Sequence, residues 1–89
     1  MMKEFSFSWN GRKWNGYFNA IAHETVIAHF EDDVIREAVG QSVSYFKTET
    51  GAINYPAHTQ ALPLQQDIYT AILKGVENRL GKPLHVYLN

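Results

Sequence analysis

Cysteine is absent from this sequence, and its absence excludes both a disulfide framework and metal sites built on thiolates. An excess of charge of one sign is absent too: eight lysine and arginine residues stand against nine aspartate and glutamate residues, for a formal net charge of −1. No overall field therefore attracts nucleic acid or an anionic membrane surface. No stretch approaches about 18 consecutive apolar residues, and residues 1–4 lack the apolar run of a signal peptide. These absences predict a cytoplasmic protein that does not contact a membrane.

The sequence also has none of the short motifs that mark catalytic or cofactor sites. It contains no Gly-x-Ser-x-Gly nucleophile elbow and no Gly-x-Gly-x-x-Gly loop, and residues 81–83 lack the glycine spacing of a phosphate loop. His23 and His29 are six residues apart, about 20 Å in extended chain, so they cannot bind the same metal ion. We therefore predict a protein that is not an enzyme and has no cofactor and no metal site.

The composition is that of one small folded domain. The chain has 89 residues, of which 45% are hydrophobic and 13% aromatic, and no linker or low-complexity segment divides it. Residues 1–89 are therefore predicted to form a single domain. A chain of this size buries only about 60–65% of its unfolded surface, so a partner subunit would add stability.

Residues 1–19 predict a β-hairpin. Asn10 and Gly11 both suit the positive φ angles of a type I′ turn, and the residues around them alternate between apolar and polar. The two-residue turn fixes the register: Trp9 pairs with Arg12, Phe7 with Trp14, Phe5 with Gly16 and Lys3 with Phe18. One face of the hairpin, which we expect to be buried, then carries five aromatic side chains: Phe5, Phe7, Trp9, Trp14 and Phe18. A turn at Asn15-Gly16 is disfavoured, because it would leave the run from Phe5 to Trp9 without its partner.

The middle of the chain predicts two further strands and a short helix. β-branched residues indicate a strand at 25–30, after a turn at His23-Glu24, and another at 42–47, which a polar turn joins to residues 52–55 in a second hairpin. Between these strands, acids at 31–33 precede apolar residues at helical spacing and then Gly40, which favours a two-turn helix. A strand is the alternative for residues 31–40, because apolar positions there also alternate.

The clearest helix is predicted over residues 64–80, after an irregular loop at 56–63. Pro63 suits the first turn, and Gly81 and Pro83 follow the end. The apolar residues of this helix cover an arc of roughly 180–200°, wider than the stripe of about 100° that one packing surface needs. We therefore expect Gly75 to lie closest to the sheet, and Tyr69 and Leu73 to form a second flank that meets the loop, a neighbouring element or another subunit.

Residues 84–88 predict a last strand. Leu84, Val86 and Leu88 alternate with His85 and Tyr87, so the three aliphatic side chains would face inward. An unpaired strand at this position would leave an edge able to add to another molecule.

Together these elements predict an α+β fold. We expect a curved, mainly antiparallel sheet of five to six short strands, beginning with the N-terminal hairpin and covered by one C-terminal helix. If residues 31–40 are extended instead, the strands could close into a small barrel of SH3-like or Sm-like shape, with the helix added. Such a likeness of shape carries no function.

The sequence favours a small non-enzymatic module that acts through a protein interface, as a homo-oligomer or with another protein. Small size, a wide apolar helix face and the absence of catalytic motifs support this hypothesis. Trp9, Arg12, Tyr69 and Leu73 are the predicted interaction residues. The alternative hypothesis is binding of single-stranded nucleic acid or RNA, because cations and aromatic rings lie side by side at the hairpin tip.

Overall fold

In a computed structural model, residues 2–21, 25–51, 53–54 and 63–88 are described. The elements in chain order are β1 (Lys3–Trp9), β2 (Arg12–Ile21), β3 (Thr25–His29), α1 (Asp33–Val39), β4 (Ser42–Lys47), β5 (Ile53–Asn54), α2 (Pro63–Leu80) and α3 (Leu84–Tyr87). The turn expected at His23-Glu24 and the loop expected over residues 56–62 lie outside the described residues.

The N-terminal hairpin has the predicted turn and register. Asn10 and Gly11 adopt φ angles of 54° and 74°, and Trp9 pairs with Arg12, Phe7 with Trp14 and Phe5 with Gly16. Four of the five aromatic side chains expected on one face are buried, and Trp9 is half-buried. The prediction of a buried aromatic face is therefore confirmed.

The sheet is antiparallel and open, with the strand order β1-β2-β3-β4-β5. Four strands have five or more residues, whereas β5 has only two and pairs with β4 through Phe46–Asn54 and Lys47–Ile53. In the described part of the chain, β1 and β5 lie at opposite edges and do not pair, so the barrel alternative is wrong. The α+β class and the antiparallel sheet are as predicted.

Residues 31–40 contain a helix, not the alternative strand. Asp32 caps α1, because its carboxylate accepts a hydrogen bond from the Val34 backbone N–H at 2.9 Å. At the other end, the Gly40 N–H donates to the Arg36 carbonyl at 2.8 Å. Ile35 and Val39, four residues apart, face the core.

Helix α2 packs along β1, the edge strand of the hairpin. Gly75 is buried there, and a Cβ atom at this position would lie 2.7 Å from the Phe7 Cβ and collide with the Ser6 carbonyl oxygen. The helix thus approaches the strand backbone more closely than any side chain would allow. This confirms the predicted closest approach at Gly75.

Residues 84–87 form the short helix α3 and Leu88 follows its end, so the predicted terminal strand is wrong. Leu84 and Leu88 are fully buried, but Val86 is 52% exposed. In a helix, residues four apart share one face and the residue between them points away, which produces this pattern. Two contacts fix the turn: the Leu88 N–H donates to the Leu84 carbonyl at 2.8 Å, and the Glu77 carboxylate accepts from the Leu84 N–H at 2.7 Å. The expectation of one C-terminal helix is corrected accordingly, since α3 follows α2.

The core lies between one face of the sheet and the helices. The buried side chains of the sheet are Phe5, Phe7, Trp14, Phe18, Val26, Ala28, Val43 and Tyr45. The helices contribute Ile35, Val39, Ile68, Tyr69, Ile72, Val76, Leu84 and Leu88. The opposite face of the sheet, which we call the outer face, carries the alternate residues of each strand, and these are half-buried or exposed.

Candidate interaction surfaces

Two of the four predicted interaction residues, Trp9 and Arg12, face each other across the hairpin next to its turn. The Trp9 ring lies 6.2 Å from the Trp14 ring, and the Trp14 indole N–H donates to the Trp9 carbonyl at 2.9 Å. The Arg12 side chain is exposed and its guanidinium carbon lies 4.5 Å from the centre of the Trp14 ring, a cation–π contact. Both residues therefore stabilise the hairpin tip while keeping some exposed surface.

The other two, Tyr69 and Leu73, lie one turn apart on α2. Tyr69 is only 3% exposed, and its carbonyl accepts a hydrogen bond from the Tyr45 hydroxyl at 2.7 Å. Leu73 is half-buried and packs against the core. Tyr69, part of the wide apolar arc of α2, thus packs within the chain. It has almost no exposed surface with which to contact a partner.

The outer face of the sheet holds a cluster of apolar side chains from three strands. Ile21 of β2 is 47% exposed and Phe46 of β4 is 36% exposed, and both lie in one cross-strand row with Thr25 between them. In the next row of this face, Ile27 of β3 pairs with Asn19 and Ser44 and is diagonal to both apolar neighbours. We call Ile21, Ile27 and Phe46 the outer-face patch.

In the two cross-strand rows that contain the outer-face patch, the neighbouring side chains are polar but uncharged. Within β2, β3 and β4, the residues paired with the patch are Thr25, Asn19 and Ser44, and Phe46 also pairs with Asn54 of β5. One row further, His29 pairs with Tyr17, and its imidazole lies 3.3 Å from the Asn19 side-chain oxygen. An apolar centre with a rim of hydroxyl and amide groups is the usual composition of a protein interface.

A polar groove runs along the β1 edge, between the hairpin and α2. Its central part, about 530 Å³, lies between Ser6, Ser8 and Lys13 of the hairpin and a stripe of α2 at helical spacing that includes Asp67, Lys74 and Asn78. Towards one end the groove continues past Glu4, Asn15 and Arg79, and at the other it reaches Trp9, Asn10 and Ala71. We call this feature the edge groove.

Neither surface is among the features predicted from the sequence. The alternation that buries Phe18 and Val26 also places Ile21 and Ile27 on the outer face, so the patch could have been found from the strand register. The polar stripe of α2 could be recognised from its spacing, but nothing in the sequence showed that this stripe lies beside Ser6 and Ser8. The edge groove depends on a tertiary contact, the seating of Gly75 on β1.

No group of three histidine, aspartate or glutamate side chains comes together among the described residues. No helix in the described part of the chain is both long and apolar enough to cross a membrane.

Comparison of this chain with models of protein families, with curated proteins and with solved structures finds no match.

Proposed function

We propose that this chain is a non-enzymatic protein-interaction module that self-associates through the outer-face patch. The observation that supports the proposal is the meeting of Ile21, Ile27 and Phe46 on a sheet face that no described helix covers. Single exposed apolar residues are common on protein surfaces, and Val34 and Val86 are examples in this chain. A cluster from three adjacent strands is different, because its burial against one partner removes a continuous apolar area from water.

A second copy of the chain is the partner that fits this face best. The two central rows contain no charged residue, so two identical faces meet without repulsion between like charges. Thr25, Asn19 and Ser44 each carry groups that both donate and accept hydrogen bonds, and such groups can pair with their own copies. A chain of 89 residues also gains more from added burial than a large domain does.

The proposal is tested by measuring the molar mass of the purified full-length chain over a wide concentration range, by sedimentation equilibrium or light scattering. We expect the wild-type mass to rise to that of a dimer. Phe46→Ser and Ile21→Ser should each weaken the association at least about ten-fold, because each removes apolar area of the order of one side chain. Both side chains are exposed, so folding should be retained, as circular dichroism can verify.

Val34→Ser is the matched control. Val34 is 51% exposed on α1, away from the outer face, so the same loss of an exposed apolar side chain should leave the dimer unchanged. A wild-type chain that stays monomeric at millimolar concentration contradicts the proposal. Equal weakening by Val34→Ser and Phe46→Ser would show that the outer-face patch is not the interface.

A further inference from the structure

We infer that the edge groove binds a short single strand of nucleic acid, with the phosphates on Lys13, Lys74 and Arg79 and a base against Trp9. This site is separate from the outer-face patch. Lys13 and Ile21 are eight residues apart on β2, or about 26 Å along an extended strand. Binding at the edge groove and self-association can therefore be tested separately.

The first observation is the set of cations. Lys13 lines the groove from the hairpin, and Lys74 and Arg79 line it from α2. All three are exposed, and within the described residues none of them forms an ion pair. Three cations from two elements, none of them paired with a described carboxylate, suit a ligand with repeated negative charge.

The second observation is the set of hydrogen-bond donors between these cations. Ser6 and Ser8 present hydroxyl groups, and Asn78 presents an amide on the opposite wall. Because Trp9 and Arg12 close a two-residue turn, Ser6 and Ser8 are at the positions whose backbone groups point away from β2, towards the groove. Neutral donors of this kind hold phosphate oxygens in place between the charged contacts.

The third observation is the indole at one end. Trp9 lines the end of the groove with Asn10, Ala71 and Asp67, and it is half-buried, with its ring 6.2 Å from the Trp14 ring. Lys13 and Lys74 line the adjoining central part of the groove, and an aromatic side chain beside cations is the arrangement by which proteins bind single strands without reading their sequence.

The shape of the groove excludes a peptide paired to β1 and matches the length of a short single strand. Gly75 is seated on the Ser6 carbonyl, so an extended peptide has no room to pair along β1 as an added strand. From Asp67 to Arg79 the helix rises about 18 Å, which matches about five nucleotides at 3.4 Å each. Asp67 and Glu4 line opposite parts of the groove and limit the positive stretch between them, so we expect modest affinity that depends on low salt.

The test is a fluorescence-anisotropy titration of a labelled oligothymidylate of about ten nucleotides with the full-length chain at about 20 mM salt. We expect saturable binding, with a slope of log K against log salt of about −2, because three cations each contribute about −0.7. Lys13→Gln and Lys74→Gln should each weaken binding about ten-fold and reduce the slope to about −1.4. Trp9→Leu should weaken binding while leaving the slope unchanged, because it removes stacking and no charge.

Lys47→Gln is the matched control, since Lys47 is an exposed lysine on β4, away from the edge groove. It should bind like the wild type, and so should Phe46→Ser, which addresses only self-association. The inference is overturned if the wild type gives no change in anisotropy at low salt up to about 0.1 mM protein, which is the weakest dissociation constant typical of non-specific binding. Equal loss in Lys47→Gln, or a duplex of the same length bound as tightly as the single strand, would also overturn it.

Discussion

Gly11 and Gly75 are glycines for unrelated reasons. Gly11 has a φ angle of 74°, and a Cβ atom there would meet no neighbour within 4 Å, so only the backbone conformation requires glycine. Gly75 lies within a helix, where alanine is intrinsically better, but a Cβ atom there would collide with Phe7 and the Ser6 backbone. The first position is set by local geometry and the second by packing.

Gly75→Ala is expected to destabilise the fold. Alanine gains about 1 kcal/mol of helix propensity, but overpacking against a strand backbone costs about 1–3 kcal/mol, since Ser6 and Phe7 cannot rotate away as a flexible side chain would. The measurement is the free energy of unfolding in urea. Asn78→Ala, on the exposed side of the same helix, should keep or raise stability. A Gly75→Ala chain as stable as the Asn78→Ala chain would show that α2 is not seated on β1.

At the scale of elements, contact with α2 determines the conformation of residues 84–88. Leu84 and Leu88 belong to the buried core, and the Glu77 carboxylate accepts a hydrogen bond from the Leu84 N–H, which as the first N–H of the helix has no carbonyl partner within it. The four-residue helix is thus held by burial and by one side chain of α2. Alone it would be far too short to form.

Leu84→Ala and Val86→Ala distinguish the helix from the strand predicted from the sequence. Leu84 is fully buried, so its truncation should cost about 2–5 kcal/mol in free energy of unfolding. Val86 is 52% exposed, so its truncation should change stability by no more than about 0.5 kcal/mol. Comparable losses at both positions would contradict the helix, because a strand would place both side chains in the core.

The same segment shows why part of the fold could be predicted and part could not. The hairpin follows from Asn10-Gly11 and a long alternation, and α1 follows from acids before an apolar pair four residues apart, which are signals contained within each segment. The order Leu84-His85-Val86-Tyr87-Leu88 fits alternation and helical spacing equally well over so short a stretch. Contacts with Glu77 and the core decide between them, and these depend on where α2 lies. The edge groove was missed for the same reason, whereas the outer-face patch was already implied by the register.

At the scale of the whole molecule, a net charge of −1 conceals an uneven distribution. Four acids lie between Glu31 and Glu37, at and within α1, whereas Lys13, Lys74 and Arg79 lie along the edge groove. A net charge near zero predicts no overall attraction for anions, but it is an average over the whole surface and does not exclude a local site. Local arrangement, which the sequence alone does not provide, decides whether such a site exists.

Self-association makes a further prediction about overall stability. A partner that binds only the folded chain raises the melting temperature as its concentration rises. The wild-type midpoint, followed by circular dichroism, should therefore increase with protein concentration, and the midpoint of Phe46→Ser should not. A wild-type midpoint independent of concentration would argue against a dimer of folded chains.

The seating of α2 on β1 has a consequence for what kind of assembly this chain can build. The β1 border of the sheet is occupied by the helix, so this border offers no template on which copies could stack one after another. Contact through the broad face is isologous: each molecule uses its single face on the other, and a pair so formed is closed about a two-fold axis. If the chain pairs as proposed, growth through this face would stop at two, and the helix on β1 would keep further copies from adding at that border.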